Sequence, residues 1–218
     1  MFRGDTFINA TNVWAPELSR MFGGIPLDIT TRRRYLYFIK GPEEETLSLG
    51  PENMPRVPMT ISPRGCYVRP DGPQFMMGWA HYTNPVIPSF DDQDTIESGF
   101  GHREREGLVG AIHKELAQYL PVLSELGAPT AATVGYYDDS RDHNPLIGYD
   151  PNVPNLIHAA GFSGHGLMHA PFSACIVANL VAENHNFDEM ELPLDLGRVD
   201  LKPYRIDRKP VGGESMVI

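Results

Sequence analysis

A glycine-rich segment between a predicted strand and a predicted helix is the part of the sequence best suited to chemistry. It spans Gly161–Gly166 (GFSGHG) and precedes the apolar stretch Leu167–Ala182. Glycines let a ligand approach the backbone closely, and the first N–H groups of a helix attract negative charge. The pattern therefore favours an anion-binding loop or a purely structural turn, and the residues alone do not decide between them.

Three observations limit this interpretation. The spacing G-x-x-G-x-G differs from the dinucleotide fingerprint G-x-G-x-x-G, which occurs nowhere in the 218 residues. His165 by itself is more typical of a hydrogen-bonded core histidine than of a catalyst. No Asp, Glu, Lys or Arg occurs in Pro151–Ala182, but polar residues, glycines and prolines interrupt it, so no membrane span is expected. We expect a buried strand, loop and helix, in a deep core or against a large uncharged surface.

The elements around this segment predict an α+β fold with a mostly antiparallel sheet. Aromatic and β-branched runs predict strands, and apolar residues every three or four positions predict helices. The predicted strands are 6–10, 35–39, 66–69, 75–79, 129–137 and 155–160, and the predicted helices are 16–21, 103–120 and 167–182. Pro70–Pro73 lies between two of these strands, which indicates a β-hairpin.

The composition argues against several classes of partner. The formal net charge is −10 at pH 7, whereas binding to nucleic acid or an anionic membrane depends on clustered Lys and Arg. Arg32–Arg34 is the only basic run and is expected to form a solvated strand end. Cys66 and Cys175 cannot form a disulfide framework, and both are expected to pack among apolar neighbours.

Three motifs, in order along the chain, resemble the D-amino-acid-oxidase (DAO) type of FAD-dependent oxidoreductases. They are the family's N-terminal strand and turn (Asn9–Trp14), its substrate-domain hairpin (Cys66–Pro70 with Phe75–Gly78) and its C-terminal signature (Pro145–Gly148 with Gly161–Gly166). The likeness extends from about Thr6 to Glu183. The resemblance implies an oxidoreductase that passes a hydride from the carbon beside a substrate amine to flavin N5.

The resemblance also implies a division of the chain. Residues 1–24 and 128–185 would be remnants of the FAD-binding domain, 25–127 the substrate-binding domain, and 186–218 an extended C-terminal tail. The substrate domain would be a mostly antiparallel sheet with helices on one face, beside the strand, glycine loop and helix of the FAD domain. The family's N-terminal Rossmann unit is absent from this sequence. A missing Rossmann half or partner subunit is therefore expected, and a homo-oligomer is a further expectation.

The cofactor implied by the resemblance is non-covalently bound FAD. Gly164–Met168 would stabilise negative charge on the reduced flavin through N–H groups and the helix dipole. Gly135 stands where sarcosine oxidases attach flavin through Cys, which excludes that link. Asn12 replaces a family glycine, and Asn tolerates a positive φ. The cofactor-binding candidates are Asn12, Trp14, Gly135, Gly164, His165, Gly166, Leu167 and Met168.

The substrate-pocket candidates are Tyr67, Arg69, Tyr137 and Met168. Tyr67 matches a tyrosine of the glycine-oxidase pocket, and Arg69 points to the same face of its strand. Met168 and Tyr137 stand where relatives carry Lys and Arg that hold the substrate carboxylate, so a simple amino-acid substrate is in doubt. The flavin would supply the chemistry, so no acid–base pair is expected.

The acidic cluster Asp138, Asp139 and Asp142, with His143, could suggest a metal site. The spacing matches neither an EF-hand nor a zinc site, so a solvated loop and no metal are expected.

Two functions follow from these patterns. The first is the C-terminal half or a subunit of an FAD-dependent oxidoreductase acting on an amine or amino acid, inactive alone. The second is a flavin-poor, non-catalytic relative that acts as a binding or assembly factor for a protein complex. The sequence opens without a basic and apolar secretion signal, so the expected location is the cytoplasm, or the mitochondrial matrix in a eukaryote.

Overall fold

The computed structural model describes residues 3–40, 57–79 and 103–210. Backbone contacts divide the chain into two compact units. The sheet unit runs from Arg33 to Tyr136, and the glycine-loop unit combines the chain up to Arg32 with the chain from Tyr137 onward. The sequence also predicts loops at 40–62 and 83–101; residues 41–56 of the first, all of the second and the last eight residues of the expected tail lie outside the described residues.

The sheet unit is built on a five-stranded sheet in the order β3-β4-β5-β2-β6. In chain order the strands are β2 (Ile29–Lys40), β3 (Thr60–Ile61), β4 (Cys66–Asp71), β5 (Gln74–Trp79) and β6 (Ala131–Ser140). The pairs β3–β4, β4–β5 and β5–β2 are antiparallel. The hairpin predicted around Pro70–Pro73 is confirmed, with its turn at Gly72, whose φ is +60°.

One helix covers one face of this sheet. Helix α2 (Arg103–Leu116) contributes Ile112 and Leu116 to a buried cluster. Alternate residues of the strands supply the rest of the cluster, because successive side chains of a strand point to opposite faces. The strand members are Tyr35, Tyr37, Ile39, Cys66, Val68, Phe75 and Met77. This arrangement confirms the predicted α+β fold with a mostly antiparallel sheet.

The glycine-loop unit contains a three-stranded sheet in the order β1-β8-β7. Strand β1 (Phe7–Asn9) runs parallel to β8 (Leu156–Ala160), and β7 (Leu146–Tyr149) is antiparallel to β8. Helix α1 (Ala15–Phe22) follows β1, and helix α3 (Gly166–Glu183) follows β8. The core lies between α3 and the sheet and includes Ile147, Ile157, Ile176 and Leu180.

The segment after α3 is folded as far as it is described, although the sequence predicts an extended tail from residue 186. Strands β9 (Glu189–Glu191) and β10 (Arg198–Asp200) form an antiparallel pair. Met190 and Leu201 are buried against the core of the glycine-loop unit. Each of these strands has three residues and only one apolar side chain, so the pairing is too short to be recognised from the sequence.

The charge-free stretch is less buried than expected. All of β8 is buried, but α3 buries only Ser173, Ile176 and Leu180. Its outward side, which we call the α3 outer face, comprises Leu167, Ala170, Pro171, Ala174, Ala178, Val181 and Ala182. Among the described helices, α3 is long and apolar enough to cross a membrane. A single helix of this kind is weak evidence for a membrane span.

The basic run was expected to be solvated, and this prediction is wrong for two of its residues. Arg33 and Arg34 are only 5% and 4% exposed. Strand β2 extends to Ile29, well before the predicted start at Tyr35, so these arginines lie within a sheet instead of at a strand end.

Candidate functional site

The glycine loop connects the buried strand β8 to helix α3 through backbone of unusual conformation. Gly161, Ser163 and Gly164 have φ values of +74°, +51° and +89°. Glycine adopts this left-handed region freely, but Ser163 does so at a cost because of its side chain. Surrounding groups must therefore hold Ser163 in place.

Hydrogen bonds from the end of β6 hold Ser163 in its conformation. The backbone N–H of Ser140 donates to Ser163 Oγ at 3.1 Å. Ser163 Oγ donates to the carbonyl of Gly161 at 3.3 Å, and the N–H of Ser163 donates to the carbonyl of Asp138 at 3.3 Å. A buried network of this kind fixes the loop before any ligand arrives.

Asp138 anchors the beginning of the loop. Its carboxylate accepts the N–H of Gly161 at 2.6 Å. Burial raises the pKa of Asp138, and the N–H groups of Gly161 and Phe162 oppose that rise. The expectation of a solvated acidic loop is therefore wrong, because Asp138, Asp139 and Asp142 are all buried. Tertiary partners such as Arg32, 3.1 Å from Asp139, allow these carboxylates to be buried.

The N-terminus of α3 has no side-chain cap. The N-cap residue His165 makes no capping hydrogen bond, and the first turn contains no acidic residue. The first N–H groups of a helix lack partners within the helix and carry about half a positive charge. This end of α3 can therefore receive hydrogen-bond acceptors with negative charge.

The space around this helix end suits a ligand. Leu167 is 90% exposed and Met168 is 63% exposed. A Cβ added at Gly166 would meet only Phe162, at 3.5 and 3.6 Å, which is ordinary van der Waals contact. The fold thus does not require glycine at position 166, whereas a ligand lying against the backbone would.

His165 is held by the loop and by its own helix. It is buried, its N–H donates to the carbonyl of Phe162 at 2.8 Å, and its ring meets that of His169 edge-on at 6.2 Å. His165 therefore contributes chiefly to shaping the end of the helix.

The N-terminal turn lies in the same unit. Asn12 has a φ of +56°, as expected for the residue that replaces the family glycine. The short 3-10 helix Asn12–Trp14 packs against β8, and Trp14 is half exposed. Asn9 Oδ1 accepts the Thr11 hydroxyl at 2.7 Å, which fixes the path of the chain into this turn.

A buried Asn9–His158–Asp150 network supports that turn. His158 Nε2 donates to Asp150 Oδ2 at 2.9 Å, and Asn9 Nδ2 donates to His158 Nδ1 at 3.0 Å. Asp150 also accepts the N–H groups of Ile25 and Asn152. Burial raises the pKa of Asp150, but these hydrogen bonds outweigh it and hold the pKa below its ordinary value.

Tyr67 and Arg69 lie in the sheet unit, on the face of β4 opposite to α2. Cys66 and Val68 join the cluster under α2, so the residues between and after them face the other way. Tyr67 is buried, and its phenol lies across Gly78, its partner on β5. Arg69 donates to Asp71 at 3.2 Å and to the carbonyl of Pro70 at 3.1 Å.

The structure brings some of the predicted site residues together. Gly164–Met168 form one surface at the start of α3, and Asn12 and Trp14 belong to the same unit. On β6, Gly135 is exposed and Tyr137 is half-buried. Sequence reasoning missed Asp138, Ser140 and Ser163, which set the loop. The signal available for them was an acidic and a hydroxyl residue at the end of a predicted strand.

The other titratable candidates do not form a site. The residues that the structure describes contain no group of three or more His, Cys, Asp or Glu placed to hold a metal. Burial raises the pKa of the Cys66 thiol to about 11, so this cysteine is a poor nucleophile near neutral pH.

The fold agrees with the family comparison. A model of the FAD dependent oxidoreductase family (DAO) matches residues 2–180, so the chain belongs to this family.

Among curated proteins, FAD-dependent oxidoreductase domain-containing protein 1 of Bos taurus is 28% identical over 82% of this chain and 36% of its own length. The Drosophila melanogaster homolog is 25% identical over 84% of this chain and 32% of its own length. The chain thus spans about a third of the curated relatives it matches.

Two solved structures share the fold. L-proline dehydrogenase from P. horikoshii has a TM-score of 0.66 and 24% identity, covering 92% of this chain and 46% of its own. Glycine oxidase from Geobacillus kaustophilus has a TM-score of 0.64 and 21% identity, covering 97% of this chain and 47% of its own. The match extends through both units of the chain.

Proposed function

We propose that this chain provides the flavin-ring and substrate-binding part of an FAD-dependent oxidoreductase that acts on an amine or amino acid. The observation that carries the proposal is the uncapped N-terminus of α3, preceded by a preset glycine loop, in a chain of this family. The activities named for the similar structures, L-proline dehydrogenase and glycine oxidase, support this substrate class.

The residues at the start of α3 would hold the flavin ring. The N–H groups of Gly166, Leu167 and Met168 and the helix dipole would stabilise negative charge at the pyrimidine edge of the ring. When bound, FAD would accept the hydride that leaves the carbon beside the substrate amine. Leu167 and Met168 would exclude water from the ring, and Asp138 and Ser163 would keep the loop in shape.

The proposed substrate contacts are Tyr137 and Met168 within the glycine-loop unit, and Tyr67 and Arg69 within the sheet unit. Met168 offers an apolar contact where relatives place a cation, so a substrate with a bulky or apolar amine substituent fits better than glycine. Arg69 is already engaged by Asp71, which reduces its capacity to hold a carboxylate. A secondary or substituted amine is therefore the proposed substrate class.

A flavin titration tests this function. Since the sequence lacks the dinucleotide fingerprint, riboflavin, FMN and FAD should bind the purified chain with similar affinities, within about threefold. Binding would shift the flavin absorption bands near 370 and 450 nm, which are about where flavins absorb in proteins. Failure to take up any of the three flavins would overturn the proposal and favour the non-catalytic assembly factor.

The chain would act together with a dinucleotide-binding part of the same fold. The α3 outer face carries no charged residue, and Ile8 on the edge strand β1 is half exposed. Apolar surface of this extent is normally covered in a working protein. Relatives whose length is about three times the matched region contain further chain that could cover it.

A substitution on the α3 outer face tests this partner. Ala174→Glu should leave the thermal stability of the isolated chain nearly unchanged, because Ala174 is exposed. It should lower the FAD content of the complex that the chain forms with the dinucleotide-binding part. Ala131→Glu, at an exposed alanine on β6, is the matched control and should leave FAD content unchanged. Unaltered FAD content in Ala174→Glu, or a dimer of the chain that this variant dissociates, would contradict the proposed partner.

A further inference from the structure

Arg208, in the segment after α3, donates hydrogen bonds to four residues. Its Nε and Nη2 donate to the two oxygens of Asp142 at 3.1 and 2.6 Å. Nη2 also donates to the carbonyl of Asn144, and Nη1 donates to the carbonyls of Pro145 and Arg205. Both members of the ion pair are buried, with side chains 7% and 3% exposed.

These contacts converge on the turn that supports the glycine loop. The turn at Asp142–Pro145 joins β6 to β7, and Asn144 accepts the Ser140 hydroxyl at 2.7 Å. The N–H of Ser140 in turn donates to Ser163 Oγ. A continuous path of hydrogen bonds therefore runs from Arg208 through Asn144 and Ser140 to the loop at the start of α3.

We propose that Arg208 is a positioning residue that holds the glycine loop in its ligand-ready conformation. It is placed beyond residue 180, where the match to the family model ends. The planar guanidinium suits this role because it binds a carboxylate in a bidentate manner while its remaining donors reach three carbonyls. The inference rests on the proposed function for the loop's purpose, but the clamp itself does not require flavin.

Amide hydrogen exchange of the full chain tests the clamp directly. The N–H groups of Gly161 and Ser163 donate to Asp138 and that of His165 donates to the carbonyl of Phe162, so their exchange reports opening of the loop. Arg208→Gln should accelerate their exchange at least tenfold, measured well below the melting temperature, while the amides of the β4–β5 hairpin keep their wild-type rates. Asp142→Asn should produce the same pattern. Adding Arg208→Gln to Asp142→Asn should increase exchange little further, because both act on one contact.

Two controls separate positioning from general stability. Arg205→Gln removes ion pairs to Asp188 and Asp207 in the same segment without touching the Asp142–Pro145 turn, and should leave loop exchange unchanged. Leu201→Ala loosens the same unit from a buried apolar site. If Leu201→Ala at an equal loss of melting temperature accelerates loop exchange as much as Arg208→Gln, the positioning role is refuted.

Chemical rescue adds a readout that a loss of stability would not give. Guanidinium ion at a few millimolar should slow loop exchange in Arg208→Gln but not in Leu201→Ala, because only the first variant lacks a guanidinium.

Riboflavin affinity should fall at least fivefold in Arg208→Gln. Faster exchange with unchanged riboflavin affinity would contradict the link to the ligand site, whereas absent riboflavin binding in the wild type would contradict the proposed function alone. Where Arg208→Gln does not fold, Arg208→Lys replaces it and should show the same acceleration. Wild-type loop exchange in Arg208→Lys would overturn the clamp.

Discussion

Replacing Gly166 by alanine separates a structural glycine from a ligand-binding one. Gly166 is the first residue of α3, and an added Cβ would touch only Phe162 at van der Waals distance. Alanine is favoured over glycine within helices by up to about 1 kcal/mol. Gly166→Ala should therefore leave the free energy of unfolding unchanged or raise it slightly.

The same methyl group should weaken flavin binding. It would hold the flavin ring away from the N–H groups at the start of α3, and a hydrogen bond to a charged group contributes about 1.5–3 kcal/mol. Losing one such bond corresponds to roughly 10- to 150-fold weaker binding, since about 1.4 kcal/mol is a factor of ten. Titration with anionic, chemically reduced riboflavin, followed by flavin absorbance, measures this change.

Gly110→Ala is the matched control for this experiment. Gly110 lies on the exposed side of α2, where a Cβ meets nothing within 4 Å. Gly110→Ala should be at least as stable as the wild type and should bind riboflavin with the wild-type affinity. If Gly166→Ala also binds reduced riboflavin within about twofold of the wild type, the start of α3 is not the flavin site, given that one lost bond to the charged ring should cost at least tenfold.

Three further predictions concern the residues that hold the site. Gly161→Ala should lower the free energy of unfolding by about 1–3 kcal/mol in chemical denaturation, a larger loss than for Gly23→Ala. Both glycines have a positive φ, but an added Cβ at Gly161 would meet Ser140 Cβ at 3.1 Å, whereas one at Gly23 would meet nothing within 4 Å. Asp138→Ala should cost about 1–3 kcal/mol by leaving the buried N–H of Gly161 without an acceptor. Asp138→Asn should keep that bond. Because burial raises the pKa of Asp138, the wild type should lose stability as pH rises through that pKa, whereas Asp138→Asn should not. Asp150→Ala should cost at least about 1–3 kcal/mol in urea unfolding at pH 7, because it leaves buried N–H groups of His158, Ile25 and Asn152 without an acceptor. The contribution of Asp150 is present above its ordinary pKa of 3.8 and is lost as pH falls through the lowered value, so Asp150→Ala should show a shallower acid transition than the wild type.

Local patterns in the sequence were sufficient for much of the fold. The apolar run after Gly166 and the strand before Gly161 determine α3 and β8 through periodicity and glycine placement, and the Pro70–Pro73 connection specifies the hairpin. Asn12 adopts the positive φ that its residue type tolerates. These features depend on neighbouring residues, so a single sequence contains the information for them.

Features that depend on distant partners were not predictable in this way. Asp142 reads as a solvated loop residue until Arg208, 66 positions later, is placed against it. Asp138 is buried because the loop N–H groups 23 positions away pair with it. The sequence also left open whether the α3 outer face lies in a core or against another uncharged surface. The apolar composition of this helix indicates that its side chains tend to be buried, but it does not identify the surface that buries them.

The most direct test of the central claim is the ¹⁵N chemical shift of the Gly164–Met168 amides during a riboflavin titration of the full chain. The N–H groups at the start of α3 should shift together and saturate at the concentration where flavin absorbance saturates. The shifts should be lost in Gly166→Ala. Riboflavin binding that leaves these amides unshifted, or shifts only amides of the β4–β5 hairpin, would contradict a flavin site at the N-terminus of α3.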